Sequence, residues 1–309
     1  MPSPKADLTR DLAGGLLLAV SVTMVTDFSH RLLGADPDSA GILSVSVQGL
    51  FAVAASSTFT EAGLVWIEGL RLHRPFLSLS TSGVRLLLAA ALFAGVCPAW
   101  IWLPEILAQH YNTRAYNLQN SGGPSVEATN LAAVVRDYQR AIALDPGFWF
   151  AQFNLGEVFE QSYQYDAAAT QYRKAIVANG QDPSGYGNLS RVLLLEGDAL
   201  TALRVADDGM KLNPSGESAA ALLKNRSWAE LDLMFYDQAV ADAKLSLEKL
   251  PDGAAAYCML GKSYAKLGDT ADEQTAWGNF LRVRLLPPKI EPMVEPDCVR
   301  QAEDFHEKE

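Results

Sequence analysis

The sequence predicts an all-α protein in which two or three N-terminal transmembrane helices precede a helical solenoid of about five repeats. Long uncharged apolar stretches occupy the first third of the chain. Beyond them four prolines, Pro146, Pro183, Pro214 and Pro251, recur 37, 31 and 37 residues apart. Each follows an amphipathic helical pattern that a proline cannot continue. A period near 35 residues is typical of helix–turn–helix repeats, which bury their apolar faces only against their neighbours.

The last of the apolar stretches gives the clearest transmembrane signal. Leu86 to Leu103 is eighteen residues without a charge, which as a helix spans about 27 Å, close to the roughly 30 Å hydrocarbon core. Trp100 and Trp102 lie near one end and Arg85 precedes the other. Such residues favour the membrane–water interface. We predict a span at 84–106.

Two earlier stretches predict further spans. Gly41–Thr60 is uncharged and rich in small residues that let helices approach closely, so a span is expected at 41–66. Leu12–Thr26 is apolar or small, and no A-x-A-like cleavage site follows it. This favours an uncleaved span at 12–33 over a secretory signal. The membrane domain is therefore predicted at 1–107.

Lysine and arginine near the span ends predict the orientation, because cytoplasmic loops carry an excess of them. With three spans, one side of the membrane holds five such residues, Lys5, Arg10, Arg71, Arg74 and Arg85. The other side holds two, Arg31 and Arg114. This places the repeats on the non-cytoplasmic side of a bacterial cytoplasmic or internal membrane. With two spans, the repeats would instead face the cytoplasm.

Small and aromatic residues recur in a fixed order within the repeats. The strongest runs are Asn154-Leu155-Gly156-Glu157-Val158-Phe159 with Ala168, Tyr172 and Ala175, and then Tyr257, Leu260, Gly261 and Tyr264 with Gly268. They resemble the tetratricopeptide repeat (TPR), a 34-residue helix pair with small residues where the helices cross. The resemblance implies a TPR solenoid over 108–286. Three extra residues near 180–182 and three near 215–217 are expected to explain the 37-residue spacings. Four prolines and a charged end predict a flexible tail at 287–309.

By this resemblance, the first helix of each repeat lines a concave groove. The residues that it places there are Phe150, Phe153, Glu157 and Glu160 in the second repeat, Asn188 and Arg191 in the third, and Lys262 and Lys266 in the fifth. We expect the groove to bind an extended or helical protein segment, with Phe150 and Phe153 as apolar anchors. Alternatively, these aromatics seal the first repeat against the second. Some family members clamp a C-terminal carboxylate with Lys and Asn; Phe153 and Glu157 stand in those places, which disfavours such a clamp.

Composition and motifs disfavour several other functions. The chain has a net charge of −11 and lacks the clustered Lys and Arg that binding to nucleic acid requires. No catalytic, metal or cofactor motif is present, and Asp207, Asp208 and Asp242 are expected on solvated helix faces. The three cysteines share no CxxC spacing, so no disulfide is expected and Cys258 is interpreted as a small buried hydrophobe.

The predicted function is therefore a non-enzymatic, membrane-anchored scaffold without a cofactor. Its expected partners are proteins that bind in the groove, the lipid bilayer and other membrane subunits. Two alternatives remain open: an assembly factor that binds its clients transiently, or an accessory subunit of a larger membrane complex. The small residues of 41–60 favour the accessory subunit, because they would pack against neighbouring helices.

Overall fold

The computed structural model describes residues 20, 24, 81–121, 128–284 and 296–306. The all-α class is confirmed, since this part of the chain contains helices and no strand. The predicted span at 41–66, and 12–33 apart from residues 20 and 24, lie outside the described residues. From residue 81 onward the helices are α1 (Thr81–Ser121), α2 (Ala128–Leu144), α3 (Trp149–Gln161), α4 (Tyr165–Ala178), α5 (Pro183–Leu195), α6 (Ala199–Met210), α7 (Gly216–Asp232), α8 (Tyr236–Lys249), α9 (Ala254–Leu267), α10 (Thr270–Arg284) and α11 (Pro296–His306).

The chain divides into two compact units, residues 1–151 and 152–309. In the first unit, α1 packs against α2. The fully buried Asp137 of α2 pairs with Arg114 of α1 at 2.8 Å, and the hydroxyl of Tyr138 donates to Gln119 Oε1 at 3.0 Å. These contacts join the C-terminal part of α1 to α2 as the first helix pair.

Helix α1 also carries the third predicted span. It is 41 residues long and continues through Pro104. Its segment Ala89–Asn120 is long and apolar enough to cross a membrane, and it is the one such segment among the described residues. One helix therefore contains both the apolar stretch and the first half of the first repeat, although the sequence predicts a domain boundary near residue 107.

The second unit is a run of helix pairs. Each helix from α4 to α10 packs against the next, and the first helices of successive pairs, α5, α7 and α9, also contact one another. Asn225 of α7 illustrates this contact, because its Nδ2 donates to the Gly187 carbonyl of α5 and to Ser190 Oγ, both at 2.8 Å. Nearest-neighbour packing of this kind defines a helical solenoid. With α1–α2 in the first unit, the described residues contain five helix pairs.

A left-handed residue in the turn within each of the pairs α3–α4, α5–α6, α7–α8 and α9–α10 gives the true period. Tyr163, Gly197, Met234 and Gly268 all have positive φ, and they lie 34, 37 and 34 residues apart. The predicted insertion near 215–217 is confirmed as a lengthened α7, which has 17 residues against 13 in α5. The predicted insertion near 180–182 is wrong. Pro183 is the first residue of α5, whereas Pro146 and Pro251 lie in the preceding turns.

Tyr163 occupies a position where glycine is the favoured residue, so its backbone is strained. Its φ is +58° and its side chain is 73% exposed. A bulky residue with this backbone conformation destabilises the folded state by about 1–2 kcal/mol. Glycine removes this strain, but it also increases the conformational entropy of the unfolded chain, which offsets part of the gain. We expect Tyr163→Gly to raise the free energy of unfolding by about 0.5–1 kcal/mol in denaturant titrations of the purified protein. Gly197→Ala, at the equivalent turn, should lower it; a destabilised Tyr163→Gly would contradict the strain argument.

The predicted packing of small against aromatic residues is confirmed at both strong repeats. A Cβ added at Gly156 would lie 2.6 Å from Tyr172 Cε1, and one at Gly261 would lie 2.5 Å from Trp277 Cε2. The two helices of each pair therefore cross so closely that a methyl group cannot enter. This close approach explains why glycine is present in the middle of α3 and α9 despite its low helix propensity.

Two predictions about the C-terminal region are wrong for residues 296–306; the rest of the predicted tail, 287–295 and 307–309, lies outside the described residues. Residues 296–306 form α11 rather than a flexible tail, and Cys258 of α9 is bonded to Cys298 of α11, with Cα atoms 5.8 Å apart. Cys298 and Ala302 are buried in the same core as Trp277. Composition favours disorder here, but burial of one amphipathic face and a covalent bond hold the helix in place.

Candidate functional site

A buried ion pair joins the first helices of the second and third repeats. Glu160 of α3 accepts from Arg191 of α5, whose Nε lies 2.7 Å from Oε1 and whose Nη2 lies 2.9 Å from Oε2. The hydroxyl of Tyr172 also donates to Oε2, at 2.8 Å. Burial would lower the pKa of Arg191, but its bonds to Glu160 outweigh that effect and raise it. Burial and the nearby Glu160 raise the pKa of Tyr172. The charged and hydrogen-bonded state of this network is therefore stable.

Four predicted groove residues meet around this network. The ring of Phe153 lies 5.7 Å from that of Tyr172, centroid to centroid. Asn188 Nδ2 donates to the Tyr172 hydroxyl at 3.4 Å. Arg191 is part of the ion pair, and Glu157 is close enough to Arg191 for their charges to interact. The repeat register thus places Phe153, Glu157, Asn188 and Arg191 at one site on α3 and α5.

Glu157 differs from Glu160 because its charge is poorly compensated. It is half-buried, and no described residue donates a hydrogen bond to its carboxylate. Burial raises the pKa of Glu157 to about 6, Arg191 opposes this rise, and Glu160 adds to it. Phe153 lies one helical turn earlier on the same face of α3. The pair presents an apolar ring beside a carboxylate that can still accept hydrogen bonds.

The remaining predicted residues make other contacts. Phe150 is 40% exposed and belongs to the first unit, where its ring makes an edge contact with Trp149 at 5.2 Å. Lys262 Nζ lies 3.3 Å from Asp297 Oδ2 of α11, and Lys266 is exposed in the last turn of α9. Sequence reasoning missed the role of Tyr172 as hydrogen-bonding centre; its aromatic repeat position, facing a glycine, was the available signal.

A second group of carboxylates lies inside the fourth repeat. Glu230 and Asp242 are 6% and 7% exposed, so the expectation of a solvated face is wrong for Asp242. Arg226 Nε lies 3.0 Å from Asp242 Oδ2 and 3.3 Å from Asp207 Oδ1. Burial raises the pKa of Glu230 to about 7, and the charge of Asp242 adds to the rise. Burial also raises the pKa of Asp242, against the effect of Arg226.

These shifts predict that the protein is more stable in mild acid. Because the pKa of Glu230 is higher in the folded than in the unfolded state, the protonated carboxyl contributes to the free energy of unfolding. This contribution is fully present below about pH 4.5 and is lost as the pH rises through about 7. We expect the free energy of unfolding to fall by about 2 kcal/mol between pH 5 and 8, after allowing for solvent screening. Glu230→Gln should remove most of this slope in urea titrations, whereas Glu248→Gln, on the exposed face of α8, should leave it. An unchanged slope in Glu230→Gln would contradict the assignment.

The described residues contain no group of three or more His, Cys, Asp or Glu that could hold a metal ion. The site on α3 and α5 offers the apolar ring of Phe153, the amide of Asn188 and the carboxylate of Glu157. Such groups suit the recognition of a polypeptide segment.

No family model and no curated protein matches the sequence. Solved structures match the fold. PilW, described as a widely conserved type IV pilus biogenesis factor, has a TM-score of 0.52 at 12% identity, over 65% of this chain and 91% of PilW. PilF of Pseudomonas aeruginosa has a TM-score of 0.51 at 14% identity, over 66% and 87%. A thermophilic TPR protein of Thermus thermophilus has a TM-score of 0.47 at 18% identity, over 64% and 98%. The structural neighbours are TPR proteins, and this chain shares their helical-repeat fold.

Proposed function

We propose that this protein is a non-enzymatic, membrane-anchored scaffold whose solenoid binds a segment of a partner protein at the site formed by Phe153, Glu157, Asn188 and Arg191. The fold supports an interaction scaffold, because the neighbouring solenoids are of the protein-binding TPR class. The observation that carries the proposal is Glu157. Burial raises the pKa of this carboxylate to about 6, so its charged form is disfavoured in the free protein, and a hydrogen-bond donor or cation from a partner would offset that effect.

The chemistry of the site defines the partner group. The side chains of Glu160, Arg191 and Tyr172 already hydrogen-bond to one another, and these bonds hold them in fixed positions beside Glu157. Glu157 is left to accept from a lysine, an arginine or backbone amides, and Phe153 offers an apolar contact one turn away. A segment with a hydrogen-bond donor next to an apolar side chain would fit both groups.

Several observations support membrane anchoring through α1. The helix is long enough to cross a bilayer, and large apolar side chains on it are exposed, namely Leu87, Ile101, Trp102 and Ile106 at 52–61%. Exposed apolar surface of this kind marks a site of contact with a membrane or a protein. Since the same helix continues into the first repeat, we propose that the first helix pair is held next to the membrane, where lipid and other membrane subunits are its neighbours.

Photo-crosslinking tests the groove. A benzophenone amino acid replaces Phe153 in the full-length protein, and in a control it replaces Val177, which is 88% exposed on α4 of the same repeat. We expect a discrete crosslinked partner from position 153 and none from 177, and we expect Glu157→Gln to reduce the yield at least about ten-fold, the equivalent of losing one charge-assisted hydrogen bond. Glu157→Gln should also stabilise the free protein by about 1 kcal/mol at pH 8. Equal crosslinking from both positions would contradict a groove.

Alkaline carbonate extraction tests the anchor. The full-length protein should stay in the membrane pellet, and release into the supernatant would contradict a transmembrane α1. The alternative functions, an assembly factor or an accessory subunit of a membrane complex, follow from the same architecture; one solenoid of similar fold is itself a biogenesis factor. Substitutions in 41–60 should disrupt an embedded subunit, whereas Glu157→Gln should disrupt a scaffold or an assembly factor.

A further inference from the structure

We propose that Cys258 and Cys298 are a site of enzymatic thiol oxidation in an oxidising compartment. The resulting disulfide fixes α11 beside Lys262, in the fifth repeat of the predicted groove. Both cysteines are buried, at 0% and 1% exposure, and the bond joins helices through residues that are 40 apart in sequence. The third cysteine, Cys97, is free and lies on α1. One bonded pair and one free thiol therefore give each state of the protein a distinct thiol count.

Contacts other than the disulfide bring the two thiols together. Asp297 of α11 pairs with Lys262 of α9 at 3.3 Å, and Glu303 accepts from Arg284 of α10 at 3.3 Å. Ala302 is fully buried, and Val299 and Phe305 pack against the same core. Cys298, Val299, Ala302 and Phe305 form one face of α11, with Asp297 and Glu303 on either side of it, and docking of this face would bring Cys298 to Cys258. The disulfide bond then keeps the short helix α11 attached to α9.

The bond indicates the compartment. Cytosolic reductants keep protein thiols reduced, whereas the bacterial envelope oxidises them. Formation of the bond removes two protons and two electrons from the two thiols. The disulfide of an envelope thiol–disulfide oxidoreductase accepts them and becomes a dithiol. The repeats would therefore lie outside the cytoplasm. The disulfide locates the repeats independently of the lysine and arginine count, and a non-cytoplasmic location requires an odd number of spans if the N-terminus is cytoplasmic.

Helix α11 also changes the groove. Lys262 was predicted to line it, yet its ammonium group is paired with Asp297. In the oxidised protein α11 thus holds Lys262 in the fifth repeat, and a partner segment is left with the site on α3 and α5. This consequence rests on the proposed function, but the oxidation itself does not.

Counting thiols in the full-length protein tests the proposal. Cells of a bacterial host are quenched with acid, the protein is denatured in SDS, and free thiols are labelled with maleimide-polyethylene glycol, so that each adduct slows migration by one step. The wild type should carry one adduct before reduction and three after it. Cys97→Ser should carry none and then two, and Cys298→Ser should carry two in both cases. Three adducts on the unreduced wild type would overturn the proposal.

A host that lacks its envelope thiol oxidase tests the route of oxidation. There the unreduced wild type should carry three adducts, and one adduct would overturn enzymatic oxidation in the envelope. Crosslinking from position 153, measured in the Cys258→Ser/Cys298→Ser double variant, reports the partner site separately. Loss of the thiol pattern with intact crosslinking would therefore reject only the disulfide, and the reverse result would reject only the groove.

Discussion

Replacing Arg191 with alanine should lower the free energy of unfolding by about 3 kcal/mol. Arg191 is 31% exposed, but its partner Glu160 is only 6% exposed and receives both of the guanidinium bonds. Removing one partner of a buried pair leaves an uncompensated charge, which costs about 3–5 kcal/mol; the exposure of Arg191 places this case at the lower end. Urea titration followed by far-ultraviolet circular dichroism measures the loss.

Two further variants separate this effect from a general loss of charge. Lys211→Ala removes an ion pair whose side chains are 74% and 56% exposed, so it should leave stability almost unchanged, because solvent screens such a pair. Glu160→Gln in the Arg191→Ala background should recover part of the loss, because a neutral amide is cheaper to bury than a carboxylate. A loss in Arg191→Ala no greater than that in Lys211→Ala would show that the buried pair is unimportant.

The expected instability of Arg191→Ala changes how the groove can be studied. The repeat register was sufficient to place Phe153, Glu157, Asn188 and Arg191 together, because residues at equivalent repeat positions face the same way. It could not show that Arg191 is used up by Glu160, since that depends on side-chain geometry between residues 31 apart. Glu157 is the better target, because no described residue donates a hydrogen bond to it and its replacement should not weaken the fold.

The C-terminal region shows why composition alone was misleading. Prolines and charges between 287 and 309 indicate disorder, yet Cys298, Ala302 and Phe305 recur at helical spacing and point into the core. Residues 285–295 separate this pattern from the repeats, so the repeat period does not extend to it. Its pairing with Cys258 depends on the packing of α11, and no short cysteine spacing signals such a bond.

Gly261→Ala should lower the free energy of unfolding by about 2 kcal/mol, although alanine is the better helix former. Its Cβ would lie 2.5–2.7 Å from three atoms of the Trp277 ring. Trp277 is 2% exposed, and its ring packs edge-on against Phe280 at 5.9 Å. The ring therefore has no room to move away. Overpacking of this kind costs about 1–3 kcal/mol, more than the gain of up to about 1 kcal/mol in helix propensity.

A glycine in the same repeat provides the matched control. Gly278 lies within α10, and a Cβ there would meet no atom within 4 Å. Gly278→Ala should therefore raise stability by up to about 1 kcal/mol, so the two substitutions are expected to have opposite signs in the same denaturant titration. Trp277→Phe should lessen the effect of Gly261→Ala, because a smaller ring leaves space for the methyl group and couples the two positions. If Gly261→Ala instead stabilised the protein as Gly278→Ala does, the close crossing of α9 and α10 would be ruled out, and the packing on which the helix-pair assignment of the fifth repeat depends would have to be abandoned.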